Sequence, residues 1–464
     1  MNSILSSFAN KFNTKISNFF SKESLTLRCY AFFTGFIRRE RILTASDLIS
    51  MLAISSFSSK PATLLDMTAI LSAINPKANM KAQSLQERIN SNECVAFLKM
   101  TLEDVFQQKI LNIPQFQSEL LKPFKRVLVE DSSKWELNEC LANIFEGHGG
   151  NGSKSYIKIN VIHDLVSGRF VHFSEHSGTK SDQTVGKESL NLFKEGDLIL
   201  RDLGYFNIES LEKIQKNGAY YLSRISGNTA IRLEKNSEPV RFKELFDKKS
   251  INGKLDLYVY VGTKKHFTRL VAFRAPKEVA EQRRRKLNKT SKQQGHKTSS
   301  ENISRLDFAI YVTNVSADIW PIEIIATIYR LRWQIELVFK SWKSQLRIQF
   351  MEGKNPNRII VLLYSKWIAI IICTNFYELA MYYLKEFMNK EASFYKLVNW
   401  FLVNNNFRDV ILKKITMKWL KGFVRDLGSG WCKDKRNKGK STREMVDSKI
   451  PSYIEETYNQ ALQA

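Results

Sequence analysis

The chain has 464 residues, enough for two to four domains, and its hydrophobic content of 43% with 12% aromatic residues excludes a disordered polymer. Its 71 Lys and Arg residues outnumber 46 Asp and Glu residues, which gives a formal net charge of +25 at pH 7. This excess favours an anionic partner. Nucleic acid is the leading candidate, because cationic side chains replace the counterions condensed on phosphates, and a membrane surface is the competing interpretation.

The apolar segments do not favour a membrane-spanning protein. The most apolar stretch, Ile359–Ile372, is interrupted by Lys366 and is shorter than the roughly 20 residues that a spanning helix needs. It is predicted to be a buried core helix. Met1–Phe20 is mildly amphipathic but lacks the continuous apolar segment and the cleavage site of a secretory signal, so the alternative there is a helix lying on a membrane surface.

The five cysteines are scattered and form no CxxC pair. This distribution is typical of reduced thiols in a cytoplasmic protein. His163, His172 and His176 lie close together in sequence but have no cysteine partners, so we expect no zinc site.

Residues 1–120 are predicted to be helical. Ser46–Phe57 and Ala62–Ile74 have the apolar spacing of helices, and a stop signal follows at residues 75–76. Two shorter helices are predicted at Lys81–Ile89 and Asn92–Phe106. Their close spacing is compatible with a helix-turn-helix that reads DNA and equally with an ordinary helical bundle.

Between residues 121 and 226 the pattern becomes that of a mixed α/β unit. Two short apolar runs, Arg126–Asp131 and Leu198–Asp202, each end in an acid. Neighbouring strands that end at one edge of a sheet would bring the two acids together. Four other segments have the spacing of strands or of a helix: Tyr156–Ile162, Arg169–Phe173, Ala219–Ile225 and Ile208–Lys216.

Residues 227–303 have the pattern of a strand-rich insertion, with strands at Leu255–Val261 and Leu270–Phe273. The segment Lys277–Lys297 contains eight Lys or Arg residues against two Glu residues and few apolar ones. This composition predicts a flexible basic loop, which is either a solvated linker or a segment that contacts phosphates.

A strand is predicted at Leu306–Thr313 and one long helix at Pro321–Leu346, because proline is tolerated in a first turn. At about 100° per residue, four polar side chains of this helix share a sector of about 60° beside an apolar stripe. They are Tyr329, Arg332, Glu336 and Lys343. The simplest alternative is an intrahelical pair between Arg332 and Glu336, which contributes about 0.2–0.5 kcal/mol.

The spacing of these four residues matches the YREK signature of the insertion-sequence-four family of DDE transposases. The segment around them, Ile328–Lys340, resembles that family's third-acid helix. Three further blocks resemble the family's first acid, second acid and the basic strand that follows, respectively: Val129–Ser133 with Asp131, Leu200–Phe206 with Asp202, and Tyr221–Arg224. The resemblance covers roughly residues 80–380.

Several positions depart from the family pattern or leave alternatives open. Arg201 precedes the second acid where the family usually has a small residue, and Leu203 follows it where the family has Arg. Glu130 competes with Asp131 for the first acid; only one of them can face the site, because successive strand residues point to opposite faces, and the family block favours Asp131. Phe308 stands where some relatives carry a tryptophan that grips a flipped base, and a core aromatic is the alternative.

The resemblance implies an α/β catalytic core that is RNase H-like (retroviral-integrase-like), in which Asp131, Asp202 and Glu336 are the catalytic metal ligands. Carboxylates suit two Mg²⁺ ions, with Mn²⁺ as a substitute. Two such ions activate a water and neutralise the leaving oxygen. The implied reaction is cut-and-paste transposition: nicking of transposon ends, hairpin formation and resolution, and strand transfer into target DNA.

The implied organisation begins with a helical N-terminal domain, residues 1–120, that binds the DNA ends. The core is split into residues 121–226 and 304–380 by the insertion at 227–303, and a basic helical region, 381–464, completes the chain. Arg332 and Lys343 are expected to hold a DNA phosphate, with contacts from Tyr329 and Arg224. The expected partners are double-stranded DNA and a second copy of the chain, with no membrane, in a bacterial cytoplasm close to the nucleoid.

Overall fold

The structure is a computed structural model that describes residues 2–39, 42–58, 60–108, 110, 118–149, 152–295, 299–344, 348, 353–403 and 406–432. Its strands form one mixed sheet with helices packed around it, which confirms a mixed α/β fold. The strands are β1 Arg126–Glu136, β2 Tyr156–Asp164, β3 Arg169–Ser177, β4 Asp197–Arg201, β5 Tyr220–Arg224, β6 Ile231–Arg232, β7 Lys254–Val261, β8 His266–Arg274 and β9 Phe308–Thr313.

The sheet has the order β3-β2-β1-β4-β5-β9-β8-β7-β6. β1, β4 and β5 are parallel to one another, whereas β2 and β3 pair antiparallel on one side. On the other side, β9 pairs antiparallel with β5, and β8, β7 and β6 follow it, so the predicted insertion extends the sheet. Successive β1 residues alternate between two apolar cores, with Leu128 on one face and Val127 and Val129 on the other.

The described residues also form seventeen α-helices. They are α1 Asn2–Phe12, α2 Leu25–Phe33, α3 Ala45–Ser56, α4 Leu64–Ile74, α5 Ala82–Ile89, α6 Asn92–Gln107, α7 Asp182–Glu188, α8 Ile208–Lys216, α9 Phe242–Lys249, α10 Lys277–Gln294, α11 Ser300–Arg305, α12 Ile322–Tyr329, α13 Trp333–Ser344, α14 Pro356–Met388, α15 Phe394–Val403, α16 Asn406–Leu412 and α17 Met417–Asp426.

Two of the N-terminal helices begin at a side-chain capping box. Thr44 and Asp47 form a reciprocal capping box at α3, and Thr63 and Asp66 form another at α4. The four helices predicted in this region are confirmed to within about two residues at each end.

Helix α14 is the centre of the helical part. By length and composition alone it could cross a membrane, but 89% of its apolar window is buried inside the protein, which confirms the predicted core helix. The apolar side of α1 packs on it, with the rings of Phe8 and Phe12 at 5.2 Å and 4.9 Å from that of Phe376. The amphipathic N-terminus therefore covers protein with its apolar face.

The sequence prediction ended the first strand too early. β1 continues past Asp131 to Glu136, because β2 supplies hydrogen-bonding partners along its whole length, down to the pair Glu136–Tyr156. The apolar pattern stops at Asp131 because the parallel neighbour β4 ends beside this position. Beyond it, β1 has a hydrogen-bonded neighbour, β2, on one side only. Asp131 lies within a strand and not at its end.

The predicted flexible loop at Lys277–Lys297 is wrong for residues 277–294, which form α10. Its Glu, Gln, Lys and Arg residues are strong helix formers, and Gly295 ends the helix in a left-handed conformation with φ 68°. Arg283 donates hydrogen bonds to the carbonyls of Leu306 and Phe308, and Arg284 pairs with Asp307. These anchors stabilise a helix that has few apolar residues. Residues 296–297 lie outside the described residues.

The predicted helix Pro321–Leu346 is divided. α12 and α13 are separated by a 3₁₀ turn at Arg330–Arg332. A helix period of 100° per residue, applied uniformly, cannot predict where a helix tightens into a 3₁₀ turn. Arg332 lies in this turn and contacts Asp131, Asp202 and Glu336. Leu346 lies outside the described residues, as does the end of the predicted C-terminal region, residues 433–464.

We predict that Trp367→Ala in α14 lowers the free energy of unfolding by about 3–5 kcal/mol, because a fully buried ring that lies 4.6 Å from both Phe173 and Trp342 leaves a cavity. The matched control is Phe33→Ala, whose ring is 83% exposed and whose removal changes stability by less than about 0.5 kcal/mol. Urea unfolding measures both, and equal effects would contradict the assignment of α14 as the core helix.

Candidate active site

The parallel pairing of β1 and β4 places two aspartates side by side. Their register runs from Arg126–Asp197 to Glu130–Arg201. Asp131 is the next residue of β1, and Asp202 directly follows the end of β4. Glu130 points to the face opposite Asp131, where it is fully buried. The geometry therefore leaves Asp131, and not Glu130, at the open cleft.

The third acid arrives from the helical side. Helix α13 packs against β1 and carries Glu336 in its first turn. Asp131, Asp202 and Glu336 all line one cleft of about 640 Å³, together with Ser132, Ser133, Phe339, Lys340, Lys343 and Ser344. Three acids separated by up to 205 residues in sequence thus share one concave surface.

The guanidinium of Arg332 lies among the three acids. Its Nη2 is 2.7 Å from Oε1 of Glu336, its Nη1 is 3.5 Å from Oδ2 of Asp131, and its Nε is 3.6 Å from Oδ1 of Asp202. The Arg332 side chain is only 7% exposed, and its Nε donates no hydrogen bond within the described part of the chain. The predicted intrahelical pair with Glu336 is present, but it is one of three contacts.

The acids differ in their exposure and therefore in their electrostatics. Burial raises the pKa of Asp131 to about 7, while the backbone N–H of Ser132 and the charge of Arg332 act in the opposite direction. Burial also opposes the charge on Arg332, but the negative charges of Asp202 and Glu336 outweigh it and raise the pKa of the guanidinium. The site thus gathers three acidic side chains around the buried guanidinium of Arg332.

A model of the transposase DDE domain family matches residues 122–372. The transposase for insertion sequence element IS231F of Bacillus thuringiensis subsp. israelensis is 33% identical over 382 residues, which cover 78% of this chain and 79% of that protein. The transposase for insertion sequence element IS1151 of Clostridium perfringens is 28% identical over 385 residues, covering 77% and 79%.

The chain belongs to the transposase DDE domain family. The resemblance to insertion-sequence-four transposases, predicted from the YREK spacing, is confirmed. The matched range begins just before β1 and ends within α14, so it contains all three acids that line the cleft.

DDE transposases generally use divalent metal ions. Among the residues that the structure describes, no group of three or more His, Cys, Asp or Glu side chains could hold a metal ion as they are placed, and the Arg332 guanidinium lies among the three acids. The donors nevertheless fit a hard divalent cation, because they are three carboxylates already arranged around one positive charge. Asp202 and Glu336 are also accessible, at 45% and 40% side-chain exposure.

The two remaining YREK residues differ in their exposure to the cleft: Lys343 lines it, whereas Tyr329 is buried. Lys343 lines the cleft, donates a hydrogen bond to the carbonyl of Lys134 at 3.3 Å, and has a pKa that burial lowers. Tyr329 is 6% exposed and donates to the backbone carbonyl of Arg201 at 3.2 Å, and burial raises its pKa. Its hydroxyl therefore contacts protein and is turned away from the solvent.

Two further sequence candidates lie outside the cleft lining in the described part of the transposase. Arg224 ends β5, close enough to Tyr311 and Tyr329 for its charge to act on the pKa of both hydroxyls. Phe308 is 2% exposed and packs against Phe242 and Phe246 with ring centroids at 5.1 Å and 4.5 Å, as a core aromatic does.

Sequence reasoning missed two side chains beside the acids. Asp182 of α7 accepts hydrogen bonds from the Ser132 hydroxyl at 2.7 Å and from the Lys158 ammonium at 3.0 Å. Trp333 is 56% exposed, and the Arg332 guanidinium lies 5.7 Å from its ring centroid. The exposed tryptophan directly after Arg332 was a visible signal, whereas the contact of Asp182 depends on how α7 packs.

We predict that Arg332→Ala destabilises the metal-free transposase by about 1–3 kcal/mol, because three carboxylates lose their shared cation. We expect the loss of stability to lie near the lower end of this range, because solvent partly screens the charges of Asp202 and Glu336. Urea unfolding in EDTA measures it, with Arg241→Ala, an arginine outside the cleft whose side chain is 80% exposed, as the control. Excess Mn²⁺ should restore part of the stability. Equal stability of Arg332→Ala and the control would contradict the shared-cation assignment.

Proposed function

We propose that the transposase carries out Mg²⁺-dependent cut-and-paste transposition at a DDE site formed by Asp131, Asp202 and Glu336. The proposed reaction includes nicking of the transposon ends, hairpin formation and resolution, and strand transfer into target DNA. The observation that carries the proposal is the convergence of the three carboxylates on one guanidinium in an open cleft.

We propose an RNase H-like catalytic core built on β1–β5. A mixed sheet supports this, because β1, β4 and β5 run parallel while β2 and β3 form an antiparallel edge. In such a core the first two acids belong to adjacent parallel strands, which is where Asp131 and Asp202 lie. The insertion enters between β5 and β9 and lengthens the sheet, and none of its described residues lines the cleft.

Asp131, Asp202 and Glu336 would hold two Mg²⁺ ions, or Mn²⁺ in their place. When bound, these ions would activate the attacking oxygen and neutralise charge on the leaving one. The protein's part is to present the carboxylates from rigid elements. Asp131 lies within β1, Asp202 follows β4 directly, and Glu336 is in the first turn of α13.

We assign Arg332 to the phosphate at a DNA end, since a guanidinium forms parallel hydrogen bonds with phosphate oxygens and its buried Nε donates no hydrogen bond within the described residues. Lys343 lines the same cleft and would add a point charge. Tyr329 is buried, so its proposed role is to support the site through the Arg201 carbonyl. Arg224 is proposed to contact DNA from the end of β5.

The substrate is proposed to be the terminal inverted repeats of the element, bound by the helical region of residues 1–120 and joined to target DNA. Two ends must be processed together, so we propose that the working form is a dimer. The basic region of residues 381–464 would add positive charge. This arrangement accounts for the net charge of +25, because phosphate contacts release condensed counterions. A bacterial cytoplasmic location is proposed.

We predict that Asp131→Asn, Asp202→Asn and Glu336→Gln each abolish Mg²⁺-dependent nicking of the DNA that flanks the gene, while the affinity for that DNA stays within about threefold. Each substitution removes one ligand charge and keeps the side-chain size. The control is Glu244→Gln, an exposed acid on α9 outside the cleft. Gel assays of nicking, of joining of pre-cut ends and of binding measure the effects. Near-normal nicking by any acid variant would refute that residue's role.

We predict that the exposed face of α10 binds DNA phosphates. Replacing four of its five exposed cations by glutamine keeps helix propensity but should flatten the dependence of DNA affinity on salt, by about 0.9 in log–log slope for each phosphate that is no longer neutralised. The residues are Arg285, Lys286, Lys289 and Lys292. An unchanged slope would make α10 a structural support only. A variant with the same charge change on α8 and α9 is the control: Lys213, Lys216, Lys248 and Lys249 to Gln.

A further inference from the structure

Beneath the cleft, on the other face of the sheet, lies an ion pair with almost no solvent exposure. Glu130 is 0% exposed and Arg201 is 3% exposed. The Nε of Arg201 donates to Oε2 of Glu130 at 2.6 Å. Each residue directly precedes one of the two aspartates that line the cleft. Buried pairs of this kind are costly to desolvate, so their contribution to stability alone is a weak reason for keeping them.

We propose that the Glu130–Arg201 pair is the positioning element of the two aspartates, and this rests on the proposed function of Asp131 and Asp202. The two residues are cross-strand partners and form the last registered pair between β1 and β4. One residue further on, β4 has ended while β1 continues along β2. The pair therefore lies at the point where the two strands separate, and it sets the distance between the acids that follow.

The hydrogen bonds of the pair fix its geometry from several directions. Arg201 Nη2 also donates to the carbonyl of Gly186 at 2.8 Å and to the hydroxyl of Ser189 at 3.0 Å. Glu130 Oε1 accepts from the Ser189 hydroxyl at 2.7 Å and from the Asn160 amide at 2.9 Å. Oε1 of Glu130 and the guanidinium are therefore held by β2, by α7 or by the turn that follows α7, whereas Oε2 is held by Arg201.

The packing around Arg201 leaves little freedom. Its guanidinium lies 5.0 Å from the ring centroid of Phe193 and 5.7 Å from that of Tyr205. A Cβ atom added to Gly186 would lie 2.7 Å from the Tyr205 ring and 3.5 Å from the guanidinium, so only glycine allows α7 to approach this closely. The small residue that the family usually has before its second acid could form none of these contacts.

The turn after Asp202 is connected to the same network. The backbone N–H of Tyr205 donates to the carbonyl of Asp202 at 3.0 Å. The Tyr205 hydroxyl donates to Oδ1 of Asn160 at 2.7 Å, and Asn160 in turn donates to Glu130. Asp202 is thus held on its N-terminal side by Arg201 and on its C-terminal side by Tyr205, and both connections lead to Glu130.

The test compares Glu130→Gln with Leu270→Ala, a fully buried β8 position away from the cleft that is chosen to give a similar decrease in thermal stability. A displacement of about 1 Å at a reacting centre can cost about 100-fold in rate. We expect Glu130→Gln to lower kcat for end nicking at least about tenfold with DNA affinity within about twofold, and to weaken calorimetric binding of Mn²⁺ alone. Leu270→Ala should leave both quantities near wild type.

A second variant keeps the test decisive if Glu130→Gln folds poorly. Replacing both Glu130 and Arg201 by Met removes the charges together and should recover much of the thermal stability. We expect this double variant to keep the low kcat and the weak Mn²⁺ binding. Recovery of kcat and of Mn²⁺ binding to wild-type levels in the double variant would overturn the proposal. Equal effects of Glu130→Gln and Leu270→Ala on these two quantities would also overturn it. A wild-type protein that neither nicks DNA nor binds Mn²⁺ would instead refute the proposed function.

Discussion

The molecule has to hold three carboxylates from distant parts of the chain in one place although their charges repel one another. Arg332 resolves this conflict, because its guanidinium lies within 3.6 Å of an oxygen of Asp131, Asp202 and Glu336. Its side chain is 7% exposed, so water screens these contacts little. The arrangement fits a site that accepts divalent cations, because carboxylates that stabilise the positive charge of a guanidinium can also stabilise that of a metal ion.

The sheet separates two layers of charge around this site. On the cleft face, the acids contact Arg332; on the opposite face, Glu130 and Arg201 form a buried pair that also hydrogen-bonds to Asn160, Gly186 and Ser189. Strand alternation makes this possible, because adjacent residues of β1 and β4 point to opposite faces. The same alternation decides between the two neighbouring acids of β1, since it leaves Glu130 in the core and Asp131 at the cleft.

Local patterns predicted most of the strands, four of the N-terminal helices and the positions of the three acids that line the cleft, because apolar periodicity and motif spacing are properties of short segments. The helices of the N-terminal region, the strands and the α/β class follow from such patterns. Features that depend on tertiary contacts were missed. The extension of β1 needs β2, the stability of α10 needs the anchors of Arg283 and Arg284, and the 3₁₀ turn at Arg330–Arg332 accompanies the contacts of Arg332 with the acids. Arg201 was noticed only as a departure from the family pattern, since its partner Glu130 lies 71 residues away.

The most direct test of the convergence is a crystal structure of the transposase with Mn²⁺, read from the anomalous scattering of the metal. The account predicts anomalous peaks between the carboxylates of Asp131, Asp202 and Glu336, with the Arg332 guanidinium moved away from at least Asp131 and Asp202. Peaks that touch only one of the three acids, or none while Arg332 keeps its contacts with all three at saturating Mn²⁺, would contradict it.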